Sequence, residues 1–318
     1  MELHAAIAEA EARIRPYVRE TPLDFAPALS ALGGAQVFLK LENVQHTHSF
    51  KLRGVMNKLL RMHAERRAQG VVAASSGNHG AALAYACAQL GTHALIFVPE
   101  RAAPAKIAAI RQRGAEVRRH GNDSVVTERF ARQYAEEHGL AYVSPYNDWD
   151  VVCGQGTVAA ELARQLPQLD ALLVAVGGGG LIGGLAMGIK ETRPSVRVIG
   201  VEPEGSAAMR FALEQGRVAP LAEVRTVADT LAPRAVSDLT LRLAQRYVDD
   251  VVTISDAQML AGMRWLWAEC NQLVEPAGAA VIAALQSGAV DAGAYRHPVA
   301  LICGGNAAVE SVFTAYGA

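Results

Sequence analysis

Ala171-Leu172-Leu173-Val174-Ala175-Val176 runs directly into Gly177-Gly178-Gly179-Gly180-Leu181-Ile182-Gly183. Six apolar residues in a row suit a strand buried on both faces. The glycines end that strand, and the stretch from Leu181 to about Lys190 reads as a helix. The same alternation recurs upstream. Val71 to Ala74, His93 to Val98 and Glu116 to Arg119 read as strands. Ala81 to Leu90, Ala105 to Arg113 and Ser124 to His138 read as the helices between them. Downstream, Thr157 to Gln165 reads as a helix. Val196 to Val201, Val251 to Ser255 and Val299 to Cys303 read as strands, with helices over Ala257 to Asn271 and Ala277 to Gln286. Gly205 to Asp249 gives no firm pattern. Alternation of this kind predicts an α/β protein with two open parallel-sheet lobes and a cleft between them. Ligands of such sheets bind beyond the carboxyl ends of the strands, where the glycine-rich and polar motifs fall.

Composition narrows the function. The chain has 318 residues, 51% of them hydrophobic, with 30 basic and 31 acidic side chains and a net charge of -1. That balance points to neither nucleic acid nor an anionic membrane. No apolar run is long enough to span a bilayer. The N-terminal residues lack a secretory apolar core, so the chain reads as cytoplasmic. Cys87, Cys153, Cys270 and Cys303 are scattered without metal-site or disulfide-framework spacing. The lysines are Lys40, Lys51, Lys58, Lys106 and Lys190, a short set of candidates for amine chemistry.

Four motifs carry the chemistry. In Ser49-Phe50-Lys51-Leu52-Arg53-Gly54, Ser49 is expected to cap a helix whose apolar stripe continues through Leu60, placing Lys51 in the first turn. A cation is unfavourable at a helix N-terminus, so Lys51 is either a solvated lysine or an amine ready to bond an aldehyde. Ser75-Ser76-Gly77-Asn78-His79-Gly80 joins a strand to a helix; it is an anion site or an ordinary capped turn. Gly177 to Gly180 lets the backbone approach a phosphate at a helix N-terminus. The same glycines satisfy Gly-x-Gly-x-x-Gly, with Glu202 about 20 residues further on, as in a dinucleotide fingerprint. That reading leaves the first two motifs idle and offers no hydride-transfer site, so a dinucleotide-dependent oxidoreductase is kept only as a distant alternative. Cys303, before Gly304-Gly305-Asn306, is a core thiol or a hydrogen-bonding partner of a ligand nitrogen.

Taken together with Leu39 to Asn43, Gly154-Gln155-Gly156-Thr157, Val201-Glu202-Pro203 and Glu275-Pro276-Ala277-Gly278, these motifs resemble the fold-type II pyridoxal-phosphate enzymes, in the serine/threonine dehydratase (threonine ammonia-lyase) and serine racemase group. The resemblance covers nearly the whole chain. It implies the tryptophan synthase β-subunit-like architecture, with residues 1–47 and 147–318 as a large cofactor-binding domain and residues 48–146 as a small one. It implies pyridoxal 5'-phosphate as cofactor. Lys51 would hold it covalently and later move the α-proton. Phe50 would pack on the pyridine ring, Asn78 would meet the phenolic oxygen, and Cys303 would face the pyridine nitrogen. Gly177, Gly178, Gly179, Gly180 and Leu181 would bind the phosphate. Ser75, Ser76, Asn78 and His79 would frame the substrate carboxylate.

The activity implied is β-elimination of a small β-hydroxy amino acid such as L-threonine or L-serine, giving a 2-oxo acid and ammonia. The alternatives are a racemase with Ser76 as acid on the opposite face, or an ammonia-lyase for 3-hydroxyaspartate, phenylserine or a hydroxyectoine-derived amino acid. A homodimer is expected. Two departures stand out. His48 replaces the usual glycine before Ser49, which leaves the substrate side chain open. Ser206, Ala207 and Ala208 offer no second carboxylate near Glu202, so no metal site is expected.

Overall fold

The computed structural model describes residues 3–307. Its strands are β1 (Leu23–Phe25), β2 (Phe38–Leu41), β3 (Val71–Ala74), β4 (Ala94–Val98), β5 (Glu116–Arg119), β6 (Ala141–Tyr142), β7 (Ala171–Ala175), β8 (Arg197–Pro203), β9 (Asp250–Ile254) and β10 (Pro298–Ile302). They form two sheets. One has the order β1-β2-β10-β7-β8-β9 and the other β5-β4-β3-β6. Every pairing is parallel except β1 with β2, so the fold has two open parallel-sheet lobes with one antiparallel edge strand. The four-stranded sheet is built from residues 71–142, and the six-stranded sheet from chain on either side of it.

The strands expected from apolar runs are present within a residue or two of their expected ends. β7 and β10 are buried along their whole length, as continuous apolar runs require. Two readings change. Ser49 does not cap the helix Lys51–Arg61; Phe50 takes that position without a side-chain hydrogen bond. Ser49 instead forms an isolated antiparallel bridge with Gly304, and its hydroxyl is buried without a partner. The helix expected from Thr157 begins at Trp149, because the Asp148 side chain accepts from the N–H groups of Asp150 and Val151. The loosely read region contains helices at Ala208–Gln215 and Asp238–Tyr247.

Three helices meet where they carry glycine. A Cβ on Gly54 would lie 2.6 Å from Val151 O. One on Gly154 would lie 2.6 Å from Gly54 Cα, and one on Gly184 would lie 2.3 Å from Val152 O. A side chain at any of these points would force the helices apart. The helix that starts at Lys51 is thereby held against Trp149–Gln165, and that helix against Gly180–Lys190. The lysine and the glycine loop are therefore positioned by one packed unit.

Candidate active site

Residues 48–50 run antiparallel to residues 303–305. Phe50 N donates to Cys303 O at 3.2 Å, and Gly305 N donates to His48 O at 2.9 Å. This pairing sets Lys51 beside the end of β10. Two residues later, Arg53 is fully buried and bonds both oxygens of Glu42, from Nε and Nη2, at 2.8 Å each. It also reaches Glu161 at 2.7 Å, and Lys40 reaches the other oxygen of Glu161 at 2.6 Å. These charges pin the first turn of the Lys51 helix to the turn that follows β2 and to the helix Trp149–Gln165. Glu161 stays ionised: burial alone would raise its pKa, but Arg53 and Lys40 bring it down to about 2.

Lys51 differs from the other lysines. Lys40 pairs with Glu161, Lys58 with Asp148 and Asp150, Lys106 with Asp229, and Lys190 with Asp249. Among the described residues no carboxylate pairs with Lys51. Its Nζ donates to Pro145 O at 3.0 Å and lies 5.0 Å from the Phe50 ring centroid. Burial lowers its pKa to about 8, against the attraction of the nearby Glu275 carboxylate. Burial, more than the helix terminus, makes this amine easy to deprotonate.

Phe50, Lys51, Asn78 and Cys303 line one pocket together with the Gly177–Leu181 loop. Cys303 is buried, which pushes its thiol well above the ordinary range and keeps it neutral. Gly179 has φ +86°, a conformation suited to glycine, and is the N-cap of the helix Gly180–Lys190 without a side-chain cap. The first N–H groups of that helix therefore remain available to an anion. The glycines also admit Tyr146: a Cβ on Gly178 would lie 2.3 Å from its ring and one on Gly180 2.9 Å from its Cβ. The expected reason for glycine at 178 was close approach of a phosphate. The contact seen in the protein is with Tyr146.

Not every expected residue is brought in. His79 follows Asn78 on the same helix but does not line the pocket. The His79 ring bonds Val143 O at 2.9 Å, and burial lowers its pKa to about 3. Ser75 and Ser76 sit half-buried on the turn beyond β3, outside the enclosed wall. Their neighbour Gly77 approaches Thr230, which does line the pocket. Pocket residues that sequence reading missed are Tyr146, Thr230 and Glu275. The Glu275-Pro276-Ala277-Gly278 motif was a signal for the last; Tyr146 and Thr230 carried none. Glu202 spends both oxygens on the backbone N–H groups of Met209 and Arg210, at 2.8 and 2.9 Å. Among the described residues no group of three or more His, Cys, Asp or Glu is placed to hold a metal ion.

A lone amine, a neutral thiol and an uncapped helix terminus in one pocket fit an aldehyde cofactor that carries a phosphate. Residues 14–304 match the family described as pyridoxal-phosphate dependent enzyme. The chain belongs to that family. As a pyridoxal-phosphate dependent enzyme it is 37% identical over 279 residues to an L-threonine ammonia-lyase of Thermotoga maritima, covering 88% of this chain and 70% of the relative. It is 37% identical to an L-threo-3-hydroxyaspartate ammonia-lyase of Saccharomyces cerevisiae, covering 85% of this chain and 83% of the relative. The solved structure of maize serine racemase superposes with a TM-score of 0.93 at 32% identity, over 98% of this chain and 96% of that one.

Proposed function

We propose that this pyridoxal-phosphate enzyme is an ammonia-lyase that eliminates the β-hydroxyl of a small amino acid, with L-threonine and L-serine as the first substrates. The observation that carries this is Lys51, the one lysine among the described residues without a carboxylate partner, facing the uncapped glycine loop and Cys303 in one pocket. The relatives named ammonia-lyase support the reaction.

In this reading Lys51 Nζ holds the cofactor and then serves as the base at the α-carbon. Its lowered pKa leaves a usable fraction of neutral amine near neutral pH. Pro145 O provides a hydrogen-bond acceptor for the freed amine. Backbone N–H groups of Gly177 to Leu181 hold the phosphate, with Tyr146 packed over the loop. Phe50 would lie along the ring, and Cys303 would meet the ring nitrogen as a neutral group. The bound cofactor supplies an electron sink for the α-carbon, and the protein aims it. A neutral thiol at the nitrogen does not reinforce that sink, which suits rapid loss of a β-hydroxyl. Asn78 would meet the ring's phenolic oxygen, while the Ser75–Gly77 turn would take the substrate carboxylate. A racemase would use Ser76 as the opposite acid; the relatives named ammonia-lyase support the elimination reading first.

Residues 48–146 act as a small domain against the rest. The core under their sheet extends to Ile14, Val18 and Val151. The chain works in the cytoplasm, consistent with four free cysteines, and as a homodimer. Among the described residues no helix is long and apolar enough to cross a membrane. The test is a panel of β-hydroxy amino acids with ammonia and 2-oxo acid measured together. Equal amounts of both from L-threonine or L-serine are expected. Inverted amino acid without 2-oxo acid would establish the racemase instead.

A further inference from the structure

Glu275 takes the N-cap position of the helix Pro276–Gln286, yet its side chain makes no capping hydrogen bond. A carboxylate there commonly folds back onto the helix N–H groups. Here it turns into the pocket wall. Its Oε1 accepts from Asn78 Nδ2 at 2.6 Å and more weakly from Thr230 Oγ1 at 3.5 Å. The residue is 5% exposed. Asn78 Oδ1 in turn accepts from Asn306 Nδ2 at 2.7 Å, and the same Asn306 amide donates to Thr47 O at 2.9 Å.

The bonds run in one sense, from Asn306 to Asn78 to Glu275. They tie the loop after β10, the helix of Asn78, the start of the helix after Glu275 and the segment leading to Lys51. The Asn78 amide is therefore fixed, oxygen toward Asn306 and nitrogen toward Glu275. One of its two Nδ2 hydrogens is used by Glu275, and one remains.

We propose that Glu275 is a positioning residue of the cofactor site that acts through Asn78: its carboxylate fixes the amide so that the remaining N–H is offered to an anionic oxygen in the pocket. This rests on the reading that Asn78 meets the phenolic oxygen of the cofactor. A protonated Glu275 is a poorer acceptor, and the amide then loses the partner that orients it.

The titration falls where it matters. Burial raises the Glu275 pKa to about 7. Asn78, Thr230 and Lys106 pull it down, and Asp229 pushes it up. Lys51 and the neutral Cys303 face it from the Lys51 helix and the end of β10. The ionised, orienting form therefore dominates above about 7 and is lost below it.

The experiment titrates pyridoxal phosphate into the apoenzyme across that pH range, reading the dissociation constant and the visible absorption band. The parent is expected to bind about tenfold tighter on the alkaline side, the worth of one charge-assisted hydrogen bond. Glu275→Gln should bind with the weaker constant and lose the part of the step that Glu275 contributes near 7, keeping only the dependence set by Lys51 near 8. Asn78→Ala should lose the same step, and the double variant should be no worse than either single one. A pH dependence in Glu275→Gln as large as the parent's overturns the proposal. A step lost in Glu275→Gln but kept in Asn78→Ala overturns action through Asn78. Parent-like affinity and absorption in Asn78→Ala shows instead that the underlying reading of Asn78 is wrong. If Glu275→Gln does not fold, Glu275→Asp keeps the charge and should keep the step at a shifted midpoint; its absence there overturns the proposal.

Discussion

His48 holds φ at +58°, a left-handed conformation that costs a non-glycine residue about 1–2 kcal/mol. This accounts for the glycine usual at that position in the enzymes the chain resembles. The side chain is exposed and lies outside the pocket wall. His48→Gly is expected to raise stability by about 0.5–1 kcal/mol, since glycine's extra unfolded-state entropy offsets part of the relief. Urea denaturation measures this, and a loss of stability would mean that the imidazole has a compensating role. Gly178 makes the opposite case. Gly178→Ala drives a methyl into the Tyr146 ring and should cost about 1–3 kcal/mol by overpacking, together with weaker cofactor retention. Tyr146→Ala in the same chain should restore part of the loss, as read by thermal melting and cofactor titration. No recovery would place the clash elsewhere. Lys51 and the glycines were legible because each motif is local. The inward turn of Glu275 and the roof formed by Tyr146 were not, because both depend on contacts across long stretches of chain.

Elements were legible where a short apolar run met a strong stop. β3, β4, β7 and β10 are such runs and end at serine, proline, glycine and cysteine-glycine turns. The helix Trp149–Gln165 was misread at its start because Gly154 and Gly156 look like turn residues. They instead sit where backbones approach too closely for a side chain. The same helix supplies Glu161 to the buried charges around Arg53. Removing one member of such a group leaves uncompensated buried charge, so Glu161→Ala should cost about 3–5 kcal/mol in chemical denaturation. A cost under about 1 kcal/mol, the range of exposed pairs, would contradict that burial. The pH dependence follows. Glu161 has a folded pKa of about 2, below the ordinary glutamate value of 4.5. Its contribution is complete above 4.5 and is lost as pH falls toward 2. Acid unfolding of the parent should steepen across that window and flatten in Glu161→Gln; identical profiles would show that Glu161 does not carry it.

At the scale of the whole molecule, two parallel sheets and a cleft followed from alternating strands and helices. The antiparallel edge strand β1 did not, because three residues are too few to show a period. Lys106 and Asp229 form an ion pair from one lobe's helix to the 3-10 turn on the other side, next to Thr230 in the pocket wall. An exposed pair of this kind contributes little to stability. The central claim is that everything in the cleft converges on one amine. Borohydride reduction of the holoenzyme followed by peptide mapping tests it directly. The account predicts that the reduced cofactor is found on Lys51 and that Lys51→Ala traps none while keeping its fold. Cofactor recovered on Lys40, Lys58, Lys106 or Lys190 in the native enzyme would contradict it.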